Sequence, residues 1–217
     1  MVIYTGAGSS LFYGYESSYA TGATANKNFG QNAAVNSLSV TTNRIDINKL
    51  GQVETAAFAY GQQAGRLGIG FIFDSDTHEI FESIFGADAN GSSPFVYPAN
   101  LGENQSPVIT KTFTTQVQLQ AGSNKITRTL NGCITNSIGM STSIGEPVNG
   151  TIDATFGKEA TVTTASGNIT YQTVSAGVPY TYARGAFKVS DGTANALPTA
   201  LGEIQSFDLT FKQNAEL

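Results

Sequence analysis

The clearest alternation of apolar and polar residues lies between residues 130 and 150. Its apolar residues share one parity: Ile134, Ile138, Met140 and Ile144. Its hydroxyl residues share the other: Thr135, Ser137, Ser141 and Ser143. Successive side chains of a β-strand point to opposite faces. The segment is therefore predicted to be a long two-faced strand, bounded by Gly132 before it and by Gly145 and Pro147 after it.

Other segments with the same period predict further strands, separated by short turns. They cover residues 36–42, 44–49, 67–73, 113–119, 125–130, 151–156, 185–190 and 207–211. Gly68 and Gly70 leave one face of the third of these strands nearly bare, which favours close packing of another backbone. The spacing predicts a mainly β fold, an antiparallel β-sandwich or barrel.

One α-helix is predicted at residues 75–85. Its apolar residues form i, i+4 pairs on one face: Ile80 with Ile84, and Phe81 with Phe85. Ser75 or Asp76 can cap the first turn, and Gly86 occupies the position where a helix-ending glycine is preferred.

The first 34 residues are predicted to form a long extended N-terminal arm, followed by a β-sandwich domain at residues 35–217. The arm is rich in glycine, serine and threonine, and it carries aromatic side chains that need an apolar surface: Tyr4, Phe12, Tyr13, Tyr15 and Tyr19. That surface is either this domain or a neighbouring subunit.

Residues 50–65 are predicted to form a long loop, because the segment is too long for a hairpin turn. Phe58 and Tyr60 lie among alanines there. The residues alone leave two alternatives, a loop folded onto its own domain and a loop that contacts another subunit.

The amino-acid composition limits the classes of function that fit this chain. Only 12% of the 217 residues are charged, against roughly 25% in an average soluble domain. Such a surface is poorly protected against association. The net charge of −5 argues against a sequence-specific DNA-binding protein, which would carry a basic surface. No signal peptide and no apolar run of membrane-spanning length is recognisable, so a soluble cytoplasmic product is expected.

The chemistry of an enzyme is missing from the pattern. One histidine, His78, and one cysteine, Cys133, cannot build a Cys/His metal site. Asp74, Asp76 and Glu79 are spaced for helix capping and lack the pattern of a calcium-binding loop. We expect no catalytic residues, no metal and no cofactor, and Cys133 is expected to be a buried apolar residue.

Three segments resemble the tail tube (major tail) proteins of tailed viruses. They are GCITNSIGMSTSIGEPV at 132–148, LFYGYESSYAT at 11–21 and LGEIQSFDLTFKQNAEL at 201–217. They occur in the family's order and cover about a quarter of the chain. The resemblance implies a structural virion protein that self-assembles into hexameric rings, stacked into a tube through which viral DNA is delivered.

The resemblance also implies partners and contact residues. The expected partners are further copies of the chain, the tape measure, terminator and baseplate proteins, and DNA that passes without sequence-specific binding; no membrane is expected. The expected location is the virion tail, after assembly in the host cytoplasm. In the family, a loop near residues 50–65 contacts the adjacent ring. The candidate residues for this contact are Val53, Phe58, Tyr60 and Gln62.

A second function remains open on the residues alone. A secreted or cell-surface β-sandwich module that binds a receptor or a glycan would also be rich in strands and poor in catalytic groups. The lack of a recognisable signal peptide counts against it.

Overall fold

The computed structural model describes residues 9–47, 57–86, 111–160, 162–167, 177–181 and 206–213. Within 43–47 and 57–62 it describes the backbone only. Ten strands are described: β1 Ser9–Tyr15, β2 Lys27–Asn28, β3 Gln31–Ile47, β4 Ala57–Ile72, β5 Phe113–Ala121, β6 Asn124–Ser143, β7 Asn149–Phe156, β8 Lys158–Glu159, β9 Thr163–Ser166 and β10 Ser206–Lys212. Every pairing between them is antiparallel.

The long strand β6 organises the fold, because each half of it belongs to a different part of the sheet. Its first half pairs with β5 on one side and with β8 and β9 on the other. Its second half pairs with β7 and β10. The strand order β2-β1-β5-β6-β7-β4-β3 does not close on itself in the described residues, so the arrangement is sandwich-like. The predicted mainly β, antiparallel fold is confirmed.

Two register shifts in β6 decide which of its side chains face the core. The first lies between Leu130 and Cys133, which pair with Thr115 and Phe113 of β5, and it includes Gly132 with its φ of +67°. The second lies between Thr135 and Ser137. A β-bulge adds one residue on one strand and so reverses the inside-outside alternation. The inward-facing buried residues are consequently Leu130, Cys133, Thr135, Ile138 and Thr142.

This pattern corrects the single parity predicted from the sequence. Thr135 is fully buried, although it was assigned to the polar face. Ile144 is 62% exposed in the turn after β6, although it was assigned to the apolar face. Ile138 and Met140 do face the core as predicted. For Thr135 the physical reason is the bulge that follows it, since alternation is conserved only between bulges. Ile144 is exposed because β6 ends at Ser143.

A single core joins both parts of the sheet and the helical segment. Its buried side chains come from all three: Leu11, Tyr13, Phe113, Val117, Leu67, Ile69, Phe71, Ile152, Phe156, Ile80 and Ile84 among others. Phe29 lies fully buried between Tyr13 and Phe113, with ring centroids 4.7 Å and 6.3 Å away. Burial of one such side chain stabilises a fold by about 1.5–3 kcal/mol.

The helical segment is shorter than predicted. A 3₁₀ turn spans His78–Phe81 and a single α-helical turn, α1, spans Glu82–Phe85. Residues 75–77 form a turn instead, because Thr77 donates its hydroxyl to the Asp74 carbonyl and accepts the Asp74 amide. Gly86 ends the helix with a φ of +84°, as predicted.

Several boundaries differ from the sequence prediction. The strands predicted at 36–42 and 44–49 are one strand, β3, with a bulge between Thr42 and Arg44. Residues 57–65, predicted as part of a long loop, form the first half of β4 and pair with β3. The strand predicted at 185–190 and the segment at 48–56 lie outside the described residues.

Candidate functional site

The half of the sheet formed by β10, β6, β7, β4 and β3, in that order, presents one polar face to solvent. We call this the outer face. One cross-strand row on it runs Lys212, Ser137, Asp153, Gly68, Ser37, and the next runs Thr210, Gly139, Thr151, Gly70, Ala34. Directly paired residues of an antiparallel sheet point to the same side. Seven of the ten residues in these two rows are serine, threonine or glycine.

The glycines of the outer face leave room for the polar side chains of neighbouring strands. A Cβ added to Gly68 would lie 2.5 Å from Ser37 Oγ, and one added to Gly139 would lie 2.5 Å from Thr151 Oγ1. At Gly70 the nearest atom would be Asn36 Nδ2, at 2.7 Å. Polar side chains of the neighbouring strands thus lie over the glycines. The sequence interpretation of Gly68 and Gly70 as sites of backbone packing is wrong in this respect, because side chains fill the space.

The charges of the outer face balance. Its charged side chains among the described residues are Arg66, Lys212, Asp153 and Asp208, all of them exposed. Two positive and two negative groups give a net charge of zero. A face of this kind has no basic surface with which to hold phosphate groups.

Both edges of this half-sheet are available for pairing within the described part of the chain. β3 pairs there only with β4, and β10 only with β6. An edge strand carries a row of backbone donors and acceptors that can pair with another chain. Polar residues occupy the outward positions of β10, where uncharged Thr210 lies between Asp208 and Lys212, and uncharged polar residues such as Ser37 and Ser39 lie on β3.

The hairpin of β3 and β4 extends beyond the rest of the sheet. Only residues Gly65–Ile72 of β4 pair with β7. The residues of β4 before Gly65 have β3 as their described strand partner. Within this extension Phe58 pairs with Asp46 and Tyr60 with Arg44. Gln62 also lies in the β4 backbone, and Val53 lies outside the described residues.

The N-terminal segment, predicted as an arm, contributes to this domain's own core. β1 pairs along its full length with β5, and Phe12 and Tyr13 are 5% and 1% exposed. Tyr15 is half-buried, and its hydroxyl donates to the Glu79 carbonyl oxygen at 2.5 Å. Tyr19 is 48% exposed, and Tyr4 lies outside the described residues.

Glu16 fixes the end of β1, a role that sequence reasoning missed. Its carboxylate accepts four hydrogen bonds: from the Ala20 amide at 2.9 Å, the Thr112 hydroxyl at 3.0 Å, the Thr114 hydroxyl at 2.7 Å and the Gly132 amide at 2.9 Å. The N-terminal segment is thereby joined to β5 and to the first bulge of β6. The only signal in the sequence is the position of Glu16 inside one of the three family-like segments.

The two residues with reactive side chains have structural surroundings. Cys133 is fully buried, as predicted, and burial raises the pKa of its thiol to about 12. His78 begins the 3₁₀ turn, with Nδ1 3.3 Å from the Ser75 carbonyl oxygen. In the described ranges, no group of three or more His, Cys, Asp or Glu residues could hold a metal ion.

Comparison with known families decides between the functions left open by the sequence. A family described as phage tail tube protein matches residues 6–216, nearly the whole chain. The chain belongs to this family. No curated protein matches the sequence significantly.

Family membership makes this tail tube protein a structural component of the virion tail. Its assembly with copies of itself and with other tail components follows from the same membership. Across the described residues, no helix has the length and apolar character needed to cross a membrane.

Proposed function

We propose that this tail tube protein forms hexameric rings that stack into a tube and conduct viral DNA into the host cell. The proposal rests on the family match and on one structural observation, a polar half-sheet with an accessible edge strand on each side. It is a structural function and requires no catalytic group.

Ring closure is assigned to the edges of the half-sheet. β3 and β10 are different strands, so pairing β3 of one subunit with β10 of the next is a heterologous contact. Repeated heterologous contacts close into a ring when the rotation between subunits closes. The half-sheets of six subunits would then join into one continuous barrel.

The outer face is assigned to the channel wall. Basic side chains that neutralise phosphates hold DNA by releasing counterions, whereas a wall without net positive charge leaves the duplex free to move. The balanced charges and the low profile imposed by Gly68, Gly70 and Gly139 support this assignment.

Stacking of rings is assigned to the β3–β4 hairpin, including Val53, Phe58, Tyr60 and Gln62. The hairpin extends past β7 and can reach an adjacent ring. Tyr4 and Tyr19 of the N-terminal segment remain candidates for contacts with neighbouring subunits. The tape measure, terminator and baseplate proteins are proposed partners at the tube ends, and assembly is proposed to occur in the host cytoplasm.

Cross-linking tests the ring directly. The double variant Ser37→Cys with Thr210→Cys places one thiol on β3 and one on β10, both on the outer face. A short bis-maleimide should give a ladder on denaturing gels that ends at six subunits, because each thiol meets its counterpart on the neighbour. Cys133 is buried and does not interfere.

The two single-cysteine variants are the matched controls and should give no ladder. A double variant that forms tubes visible by negative-stain microscopy but gives no ladder would exclude the β3–β10 contact. A wild-type protein that stays monomeric at high concentration would contradict the ring itself.

A second variant tests stacking. Phe58→Ser with Tyr60→Ser should leave folded rings but no long tubes, since each large apolar side chain buried between rings contributes about 1.5–3 kcal/mol. Full-length tubes from this variant would remove the hairpin from the stacking contact. An unfolded monomer would show that the two side chains stabilise their own domain.

A further inference from the structure

One end of the half-sheet carries several exposed apolar side chains. Three segments meet there through backbone hydrogen bonds: Phe73 donates to Val148, Val148 to Tyr180, and Tyr180 to Phe73, at 2.8–3.0 Å. Three of the five large apolar side chains that are exposed in the described residues belong to this end: Ile144 at 62%, Val178 at 53% and Tyr180 at 48%. We call these three residues the apolar cap.

Among the described residues, three exposed acidic groups lie close to the apolar cap in sequence or in register. Asp76 and Glu146 are exposed, and each lies within a few residues of the hydrogen-bonded segments. Asp208 is exposed on β10 opposite Ser141, close to the same turn. The nearby Lys27 is already paired with Glu79, so it does not compensate these acids.

At the opposite end of the half-sheet, the described charged side chains that remain unpaired in the structure are basic. Arg66 pairs with Thr155 near the end of β7, and Lys158 lies two residues after Phe156; Arg66 and Lys158 are both exposed. Glu159 is engaged by Arg128 at 2.6 Å, so it does not offset these two cations. β7 separates the two ends by about 25 Å, since a strand rises about 3.3 Å per residue. The β3–β4 hairpin extends from this basic end.

We propose that the apolar cap is the docking surface for a second copy of this chain in the adjacent ring, which approaches with its basic end. The inference rests on the proposed stacking of rings. It adds the surface of the adjacent ring that the basic end, with its β3–β4 hairpin, contacts. In a head-to-tail stack, two different ends of the subunit must fit each other. Opposite charges on the two ends satisfy this requirement and oppose head-to-head contacts, where like charges would meet.

Removing the apolar side chains tests the docking surface. Ile144→Ser with Tyr180→Ser should raise the concentration needed for tube formation at least about tenfold, while single rings persist. Val162→Ser is the matched control, because Val162 is 47% exposed and lies next to β9, away from the cap. The readouts are tube length in negative-stain images and the sedimenting fraction as a function of protein concentration.

A charge exchange tests the orientation without removing apolar contacts. Glu146→Lys and Lys158→Glu should each weaken tube formation, and the double variant should recover part of the loss because the ends are again complementary. The weakening should shrink as salt rises from 50 to about 500 mM, since exposed charges are screened. If the Ile144→Ser/Tyr180→Ser variant fails to fold, the Glu146→Lys/Lys158→Glu variant still tests the docking surface.

The outcomes separate this inference from the proposed function. Tubes formed by the serine variant at the wild-type concentration would overturn the docking surface and leave ring stacking intact. A double charge variant no better than the worse single variant would overturn the head-to-tail pairing of these ends. A wild-type protein that forms neither rings nor tubes would overturn the proposed function, and the docking surface with it.

Discussion

The two faces of the half-sheet differ although they are built from the same strands. On the inner face one cross-strand row runs Phe211, Ile138, Ile152, Ile69, Val35. The adjacent outer row is one residue away on four strands and two residues away on β3, where a bulge follows Val35. It runs Lys212, Ser137, Asp153, Gly68, Ser37. The first row is entirely apolar, whereas the second contains no apolar side chain larger than glycine.

This contrast separates stability from function. The inner row packs in the core, where Ile138 and Ile152 are 0% and 2% exposed. The outer row contacts solvent and contributes little burial. Its composition is therefore free to serve another function, and we propose that this function is a channel wall with short side chains and no net charge. Substitutions on the two faces should consequently have very different effects on stability.

The largest difference is expected between neighbours on β6. Ile138→Ala should lower the free energy of unfolding by about 2–4 kcal/mol, because it leaves a cavity in a packed core. Ser137→Ala, on the outer face, should change it by less than about 0.5 kcal/mol. Urea unfolding of rings held below the stacking concentration measures both. Similar losses for the two variants would break the distinction between the faces.

The assignment of residues to faces was only partly predictable from the sequence. Alternation identified the strand and the inward direction of Ile138 and Met140. It placed Thr135 on the wrong face, because a bulge leaves no mark on the apolar pattern of its own strand. Gly132 with φ of +67° is the one visible sign of the first bulge, and sequence reasoning treated it as a boundary.

A smaller loss is expected where Glu16 holds that bulge. Glu16→Ala removes four hydrogen bonds to one carboxylate and leaves the Gly132 amide without this acceptor. The loss should be about 2–3 kcal/mol, as for hydrogen bonds to a charged group. Asp208→Ala is the control, since Asp208 is an exposed acid on the outer face. A loss no larger than that of the control would show that the bulge is stable without Glu16.

The role of the N-terminal segment was the least predictable part of the fold. Its aromatic residues indicated that a burial surface was needed, and two alternatives were open. The structure places Phe12 and Tyr13 in their own domain through pairing of β1 with β5, about 100 residues later in the chain. Nothing local in the sequence specifies a partner so distant. The reach of the β3–β4 hairpin was missed for a similar reason, since residues 57–65 lack clear alternation.

A still smaller effect is expected for Thr135, a polar residue buried on the inner face. The Thr135 hydroxyl donates to Ser83 Oγ at 2.7 Å, and Ser83 donates to the Ile80 carbonyl oxygen at 2.7 Å. Thr135→Val removes one hydrogen bond between β6 and α1 but keeps the shape. The expected loss is about 0.5–1.5 kcal/mol, measured by urea unfolding. A variant more stable than the wild type would show that the Thr135 hydroxyl is not required to position α1.

The smallest effect on stability is expected from recharging the outer face. Asp153→Lys with Asp208→Lys changes the described charges of the face from two of each sign to four positive groups. Both residues are exposed, so the free energy of unfolding should change by less than about 0.5 kcal/mol.

The same variant should have a large effect on DNA, because each ring would gain positive groups along the proposed channel. Duplex DNA should co-sediment with variant tubes at 50 mM salt and be released as salt rises, through loss of the counterion-release contribution. Wild-type tubes should retain none. Thr163→Lys with Ser166→Lys is the control, because it adds positive charge on β9, outside the outer face. If this control retains DNA as well as the Asp153/Asp208 variant does, the charge acts wherever it is placed, and the outer face loses its assignment as the channel wall.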